Sequence, residues 1–345
     1  FWAAVDRYPA YGPAWLGLAG TYNDLGYSGL AETSVAKSAF FDKSNRRAQW
    51  EAGMYFVLAG KAEQAAPFFR RYISMVPPER GTVYTMFYTL GFSPEFIRTR
   101  LVDTDYSSYR GYLDFLMANK RPDEASDIWK HMSRWKRSRD DYLSYLDFLI
   151  NAGRIEDAAS LWDEYAKNYG LINGRESSSE LIWNGGFELP VQNGGFDWKF
   201  GSAEGFRVFL DSDVKRSGYV SLSAQFFGTA NPDVYLAYQI VPLSSSRHYL
   251  LKGKIQTDGL TTTNGVFLEV SGQSCEPFSV KSPTVQGSSL WQDVELDFTV
   301  PPVCKSVKVG IKREKSEKFD NKISGDVWID SISMTAARKS PSEKP

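Results

Sequence analysis

Cysteine and histidine are scarce in this 345-residue chain, with two of each: Cys275, Cys304, His131 and His248. No CxxC or HxxxH spacing accompanies them, so the common zinc-ligand patterns are absent. The two histidines fall in differently composed halves, and a Ser-His-Asp or Cys-His arrangement would have to bridge those halves. Nucleophile-elbow, phosphate-loop, dinucleotide and HExxH motifs are missing as well. Any two of the 41 acidic residues could meet in space as a glycosidase pair, but no motif marks one. A dominant charge is lacking too. The 40 basic and 41 acidic residues leave a formal net charge of −1, which gives no global field for nucleic acid or an anionic membrane. No apolar run approaches the ~18 residues that would span a bilayer. The opening stretch FWAAVDRYPAYGPAW starts inside an amphipathic pattern without an initiator Met. We therefore expect a piece of a longer protein, whose export signal, anchor or catalytic domain would lie outside these residues.

What is abundant is aromatic side chain, 15% of residues, and internal repetition. WLGLAGTYNDLGYSGLAETSVAKSAF aligns with QWEAGMYFVLAGKAEQAAPFFRRYI at a spacing of 34, which sets Ala19 on Gly53, Gly26 on Gly60 and Ala31 on Ala65. YLDFLMANKRPDEASDIW aligns with YLDFLINAGRIEDAASLW at a spacing of 33, carrying Trp129 onto Trp162. Each unit predicts two helices. Small residues at Ala19 and Gly53 allow close approach, and Gly26, Gly60 and Gly153 supply left-handed caps, with Lys120 in the equivalent place. Ala31, Ala65, Ala125 and Ala158 begin each second helix with a small contact face, and Phe69, Trp129 and Trp162 fill the gaps between units. Residues 78–105 break the period and predict an irregular helical insertion within a helical domain spanning 1–170.

After Tyr169 the text changes. A polar stretch over 171–180 predicts a linker, and alternating segments follow, among them GFRVFLD, VYLAYQIVPL, HYLLKGKIQT, SVKVGIK and DVWIDSISM. Turn signals such as Asp258-Gly259 and Asn264-Gly265 separate them, so residues 181–337 predict a two-sheet antiparallel sandwich with a disordered tail over 338–345. The whole is multidomain α + β. NGGF occurs twice here, at Asn184–Phe187 and Asn193–Phe196. The second copy is expected to be a loop turn that delivers Trp198. KREKSEKFDNK, residues 312–322, is either a solvated hairpin tip or a contact for an acidic polymer.

The Leu-Gly, Tyr, Gly and Ala positions, closed by Pro77, resemble the tetratricopeptide repeat family. That likeness implies a solenoid whose groove holds a protein partner, through positions that include Asn23, Trp50, Met54, Arg110, Asp114 and Asp147. Solvated helix-face carboxylates are the plainer reading of Asp114 and Asp147. The order NGGFE (Asn184–Glu188), Trp198, Ser217-Gly218, Gln239, Trp291 and WIDSISM resembles jelly-roll, galactose-binding-like carbohydrate-binding modules of families four, nine and twenty-two. Such modules imply glycan binding, here through Trp198, Tyr235, Tyr238, Arg313 and Trp328, with core packing as the alternative for each. They also imply a structural Ca²⁺ held by Glu188, the Arg216–Gly218 backbone and Asp330, with Ser331 replacing a second Asp. Export, expected of such a module, favours a Cys275–Cys304 disulfide over two free buried thiols. The combination resembles bacterial exopolysaccharide-locus proteins. It implies a non-catalytic adaptor of the cell envelope, periplasmic or extracellular, that binds a protein and a polysaccharide. The alternatives are the ancillary part of a larger carbohydrate-active enzyme, or a sandwich used only for protein contacts.

Overall fold

The computed structural model describes residues 1–337 apart from 172, 173, 176, 178, 274, 276 and 320. The expected tail over 338–345 and part of the expected linker lie outside the described residues. The chain divides into two compact units, Phe1–Arg137 and Ser138–Pro345.

The first unit is helical. Its elements are α1 (Trp2–Arg7), α2 (Gly12–Asp24), α3 (Ser28–Phe41), α4 (Arg46–Leu58), α5 (Ala62–Met75), α6 (Arg80–Thr89), α7 (Pro94–Arg100), α8 (Tyr106–Ala118) and α9 (Pro122–His131). Side-chain caps fix several starts: Asn45 accepts from the N–H groups of Arg47 and Ala48, Ser93 from Phe96, and Asp105 from Ser108. Helix α2 packs on α3, α4 on α5 and α8 on α9. The small residues make these contacts. Ala31, Ala65 and Ala125 are completely buried, and a Cβ on Gly53 would lie 2.7 Å from the Phe69 ring. Gly26 and Gly60 turn at φ +79° and +71°, and Lys120 takes the same left-handed turn at φ +54°. The stretch 78–105 forms α6 and α7, of 10 and 7 residues.

The second unit opens with another helix pair, α10 (Arg139–Asn151) and α11 (Ile155–Asn168), started by a capping box between Ser138 and Asp141. Among the described residues ten strands follow: β1 (Lys199–Phe200), β2 (Phe206–Asp211), β3 (Ser221–Phe227), β4 (Val234–Pro242), β5 (His248–Leu260), β6 (Val266–Gly272), β7 (Ser279–Lys281), β8 (Gly287–Thr299), β9 (Ser306–Arg313) and β10 (Ser324–Ala336). They form two antiparallel five-stranded sheets, ordered β1-β4-β9-β6-β7 and β2-β3-β10-β5-β8. Period-two alternation sends Ala237, Val241, Leu268, Val309 and Ile311 from one sheet, and Leu222, Ala224, Leu251, Val327 and Ile329 from the other, into one core. Cys275 and Cys304 are bonded to each other.

The two NGGF copies do matching work on different neighbours. Asn184 and Asn193 both take φ near +50°, at +51° and +54°. In the first copy a Cβ on Gly185 would lie 1.8 Å from the Ile332 carbonyl oxygen, so only glycine lets this loop bond the last strand. In the second, a Cβ on Gly195 would lie 2.5 Å from Trp162, and Gly194 sits against Leu143. Trp162 also meets Trp183 and Phe196 edge-on, at ring-centroid distances of 5.2 and 6.2 Å. The second copy thus seats the α10–α11 pair on the sandwich. This is why the composition break near residue 170 and the division of the compact units at Arg137/Ser138 do not coincide.

Candidate functional site

The outward face of the β1-β4-β9-β6-β7 sheet is a lattice of aromatic and charged side chains. Strand register sets Lys199, Tyr238, Gly310, Glu269 and Lys281 in one row across all five strands. Flanking rows carry Ile240, Lys308, Ser271 and Ser279 on one side and Tyr235, Lys312 and Phe267 on the other. Gly310, at the centre, makes the arrangement possible: a Cβ there would lie 2.4 Å from the Tyr235 ring, so the ring leans over bare backbone. Tyr235 and Tyr238 then stand 5.7 Å apart, centroid to centroid.

Charge surrounds this pair. The Lys308 ammonium lies 5.2 Å from the centre of the Tyr235 ring and 4.9 Å from that of Tyr238, and Lys312 lies 5.3 Å from Tyr235. Glu269 is buried beneath them, bonded by the Tyr235 hydroxyl, by the Ser279 hydroxyl at 2.7 Å and by Lys312 at 3.5 Å. Burial pushes the Glu269 carboxyl up, but these donors outweigh it and hold the group below the ordinary carboxylate range. Burial, and then the carboxylate beside it, raise the Tyr235 phenol, which stays protonated and able to donate. At one edge Lys199 bonds Asp147 of α10 at 2.8 Å, so the helix pair adjoins the row. Chemically, the face offers two aromatic rings with charged and hydroxyl groups beside them.

The other expected ligand residues lie elsewhere. Trp198 is completely buried, packs 5.3 Å from Phe187 and donates its Nε1–H to the Asn184 carbonyl at 2.9 Å, so it is a core residue and not a platform. Arg313 is also completely buried; its guanidinium donates to Asn231 Oδ1 at 2.6 Å and to the carbonyls of Pro232 and Asn321, tying loops together beneath the surface. Trp328 is half-buried on the opposite sheet, where its Nε1–H donates to Asp211 at 2.8 Å, and it shares no face with the tyrosines. Only Tyr235 and Tyr238 of the expected set come together.

No family model matches the chain, and no curated protein does. Solved structures do resemble it over the C-terminal half. One is the enzymatically active domain of bacteriophage CBA120 tailspike protein 4, at 12% identity over 46% of this chain and 22% of that one, with a TM-score of 0.32. A second is the CBM22-1–GH10 modules of the endo-1,4-beta-D-xylanase 10B of Clostridium thermocellum, complexed with xylohexaose, at 14% identity over 47% of this chain and 29% of that one, TM-score 0.35. A third is TmCBM61 in complex with beta-1,4-galactotriose, at 15% identity over 46% of this chain and all (100%) of that one, TM-score 0.32. The chain therefore spans less than a third of the length of the first two.

Glu188, Asp330 and the turn at Arg216–Gly218 do meet, but with the wrong atoms for calcium. Asp330 Oδ2 accepts the N–H groups of Arg216 and Ser217 at 2.9 Å each, and Oδ1 accepts that of Ser331 at 2.5 Å. Glu188 accepts the N–H of Tyr219 at 2.9 Å, and a Cβ on Gly218 would lie 1.9 Å from Glu188 Oε1. A hard cation needs oxygens turned inward. Here the backbone turns N–H groups inward and Asp330 is saturated by them, so these residues do not fit the ion. They form a hydrogen-bonded clasp between the first loop and the last strand.

The expected groove residues also part ways. Asn23 is exposed on α2; Trp50 on α4 packs against Phe69 and Tyr72 at 5.3 and 4.9 Å; Met54 is half-buried on the same helix. Arg110 and Asp114 pair with each other one turn apart on α8. Asp147, their counterpart in the later repeat, is withdrawn from any groove because it accepts from the Gly195 N–H and from Lys199. Glu269 and Lys308 escaped the sequence reading, and Lys312 entered it only as the start of the charged stretch 312–322, although a signal exists. In SVKVGIK the two lysines and the glycine alternate with buried valines and isoleucine, which marks one outward row of a strand.

Proposed function

We propose that the protein is a non-catalytic adaptor whose sandwich binds glycan on the Tyr235–Tyr238 face. The observation that carries this reading is the tyrosine pair leaning over Gly310, with hydroxyl and charged groups alongside. Flat rings stack on the apolar faces of pyranose rings, and neighbouring polar groups take the hydroxyls. In this reading the helix pairs of the first unit are tetratricopeptide-like and offer Asn23, Trp50, Met54, Arg110 and Asp114 to a protein partner. The setting is the bacterial cell envelope, in exopolysaccharide assembly or export.

Affinity electrophoresis of the full chain through gels cast with single polysaccharides tests the glycan part. At least one polymer should retard the wild type, and Tyr238→Ala should weaken that retardation about tenfold or more, the equivalent of ~1.4 kcal/mol, with the thermal midpoint unchanged. Retardation of wild type and Tyr238→Ala to the same extent would move glycan binding off this face.

A further inference from the structure

We propose that the Tyr235–Tyr238 face selects glycans bearing carboxylate sugars, and that Lys308 is the residue that meets the carboxylate. The inference rests on the glycan-binding reading above and adds the ligand's charge class.

The argument is the balance of charge on the face. Four lysines stand on this face. Lys199 is answered by Asp147 at 2.8 Å. Lys281 and Lys312 share Glu314, at 2.5 and 3.6 Å, and Lys312 also faces Glu269 at 3.5 Å. Lys308 differs. Among the described residues no carboxylate lies within ion-pair reach of it, and its ammonium is held only by the two tyrosine rings. Its register partners on this face are Ile240 on one side and Ser271 on the other, an apolar group and a hydroxyl, so neither cross-strand partner carries a counter-charge.

A neutral sugar laid across the tyrosines would strip water from this ammonium and give it hydroxyls alone. Covering an unpaired cation is unfavourable, whereas bringing a counter-ion turns the same lysine into an attractive contact. A uronate stacked on Tyr238 provides that counter-ion from the ring carbon that bears its carboxylate. Selection then works from both directions: acidic sugars gain a charge-assisted bond and neutral ones carry a desolvation penalty.

The test sets full-length wild type, Lys308→Met, Lys308→Arg and Tyr238→Ala against polygalacturonate, the same polymer fully methyl-esterified, and neutral xylan and galactan. Thermal midpoints check that each variant folds. Polygalacturonate should bind the wild type at least tenfold more tightly than its ester or the neutral polymers do, and added salt should weaken that binding. Lys308→Met should remove the preference, Lys308→Arg should keep it, and Tyr238→Ala should weaken binding to every polymer about tenfold or more. Equal binding of acid and ester, or a preference that survives Lys308→Met, overturns the role of Lys308 while leaving the glycan reading intact. Wild type that binds no polymer but is retained on an acidic-peptide column overturns both, and assigns the face to a protein.

Discussion

One aspartate appears twice in the same five-residue phrase, YLDFL, and has two fates. Asp114 lies 54% exposed and pairs along its own helix with Arg110, while Asp147 is 35% exposed and reaches across to the Gly195 N–H and the Lys199 ammonium. Surface pairs between side chains one helical turn apart contribute little, roughly 0.3–0.5 kcal/mol. A carboxylate that satisfies a partly buried N–H is worth more, because its loss leaves the donor unpaired at a cost of about 1–3 kcal/mol. Asp147→Ala is therefore expected to lower stability by about 1–3 kcal/mol in urea unfolding, and Asp114→Ala by no more than about 0.5 kcal/mol. Equal effects would mean that Asp147 holds nothing in the second unit. The same contrast explains Trp198. An indole in a glycine-rich loop suits a sugar platform and a core plug equally well in sequence. Only the path of the chain, which brings Trp198 onto Phe187, decides between them.

At the scale of elements, much of the structure was legible. The alanines that recur every 33–34 residues are the ones with no exposed surface, and every expected strand segment lies in one of the two sheets. Those features are legible because period and volume are written along the chain. Which outward row faces which neighbour is not, because it depends on register between strands far apart in sequence: Tyr238, Gly310 and Glu269 share a row although more than twenty residues separate any two of them. The clasp at Asp330 is illegible for a related reason, since sequence supplies the carboxylates but not the direction of the N–H groups around them. The helix turns offer a direct check. Gly26, Gly60 and Gly153 hold φ between +71° and +79°, and Lys120 holds +54° with a side chain attached. A non-glycine residue in this region costs roughly 1–2 kcal/mol, partly offset in glycine by its greater freedom when unfolded. Lys120→Gly should therefore stabilise the α8–α9 pair by up to about 1 kcal/mol, seen as a higher urea midpoint with the same slope. A lower midpoint would show that the lysine side chain makes a contact that outweighs the strain.

At the scale of the molecule, the functional boundary is not where the composition changes. Residues 171–180 look like a linker, yet α10 and α11 lie with the strands, held by Trp162 against Trp183 and Phe196, by Tyr165 to Gln192 at 2.5 Å and by Lys305 to Glu156 at 2.7 Å. Trp183 and Phe196 are 7% and 2% exposed, and Lys199, which belongs to the candidate row, takes its counter-charge from α10. Removing the helix pair would bare two large aromatic residues and leave Lys199 unanswered, a loss of burial worth several kcal/mol at about 25 cal/mol per Å². A fragment covering 138–337 should consequently unfold in one cooperative transition and bind the same polymers as the full chain. A fragment starting at residue 181 should melt at least several degrees lower, bind a dye that reports exposed apolar surface, and weaken in glycan retardation. If the shorter fragment matches the longer one in all three respects, the last repeat is a passenger, and the recognition face belongs to the sandwich alone.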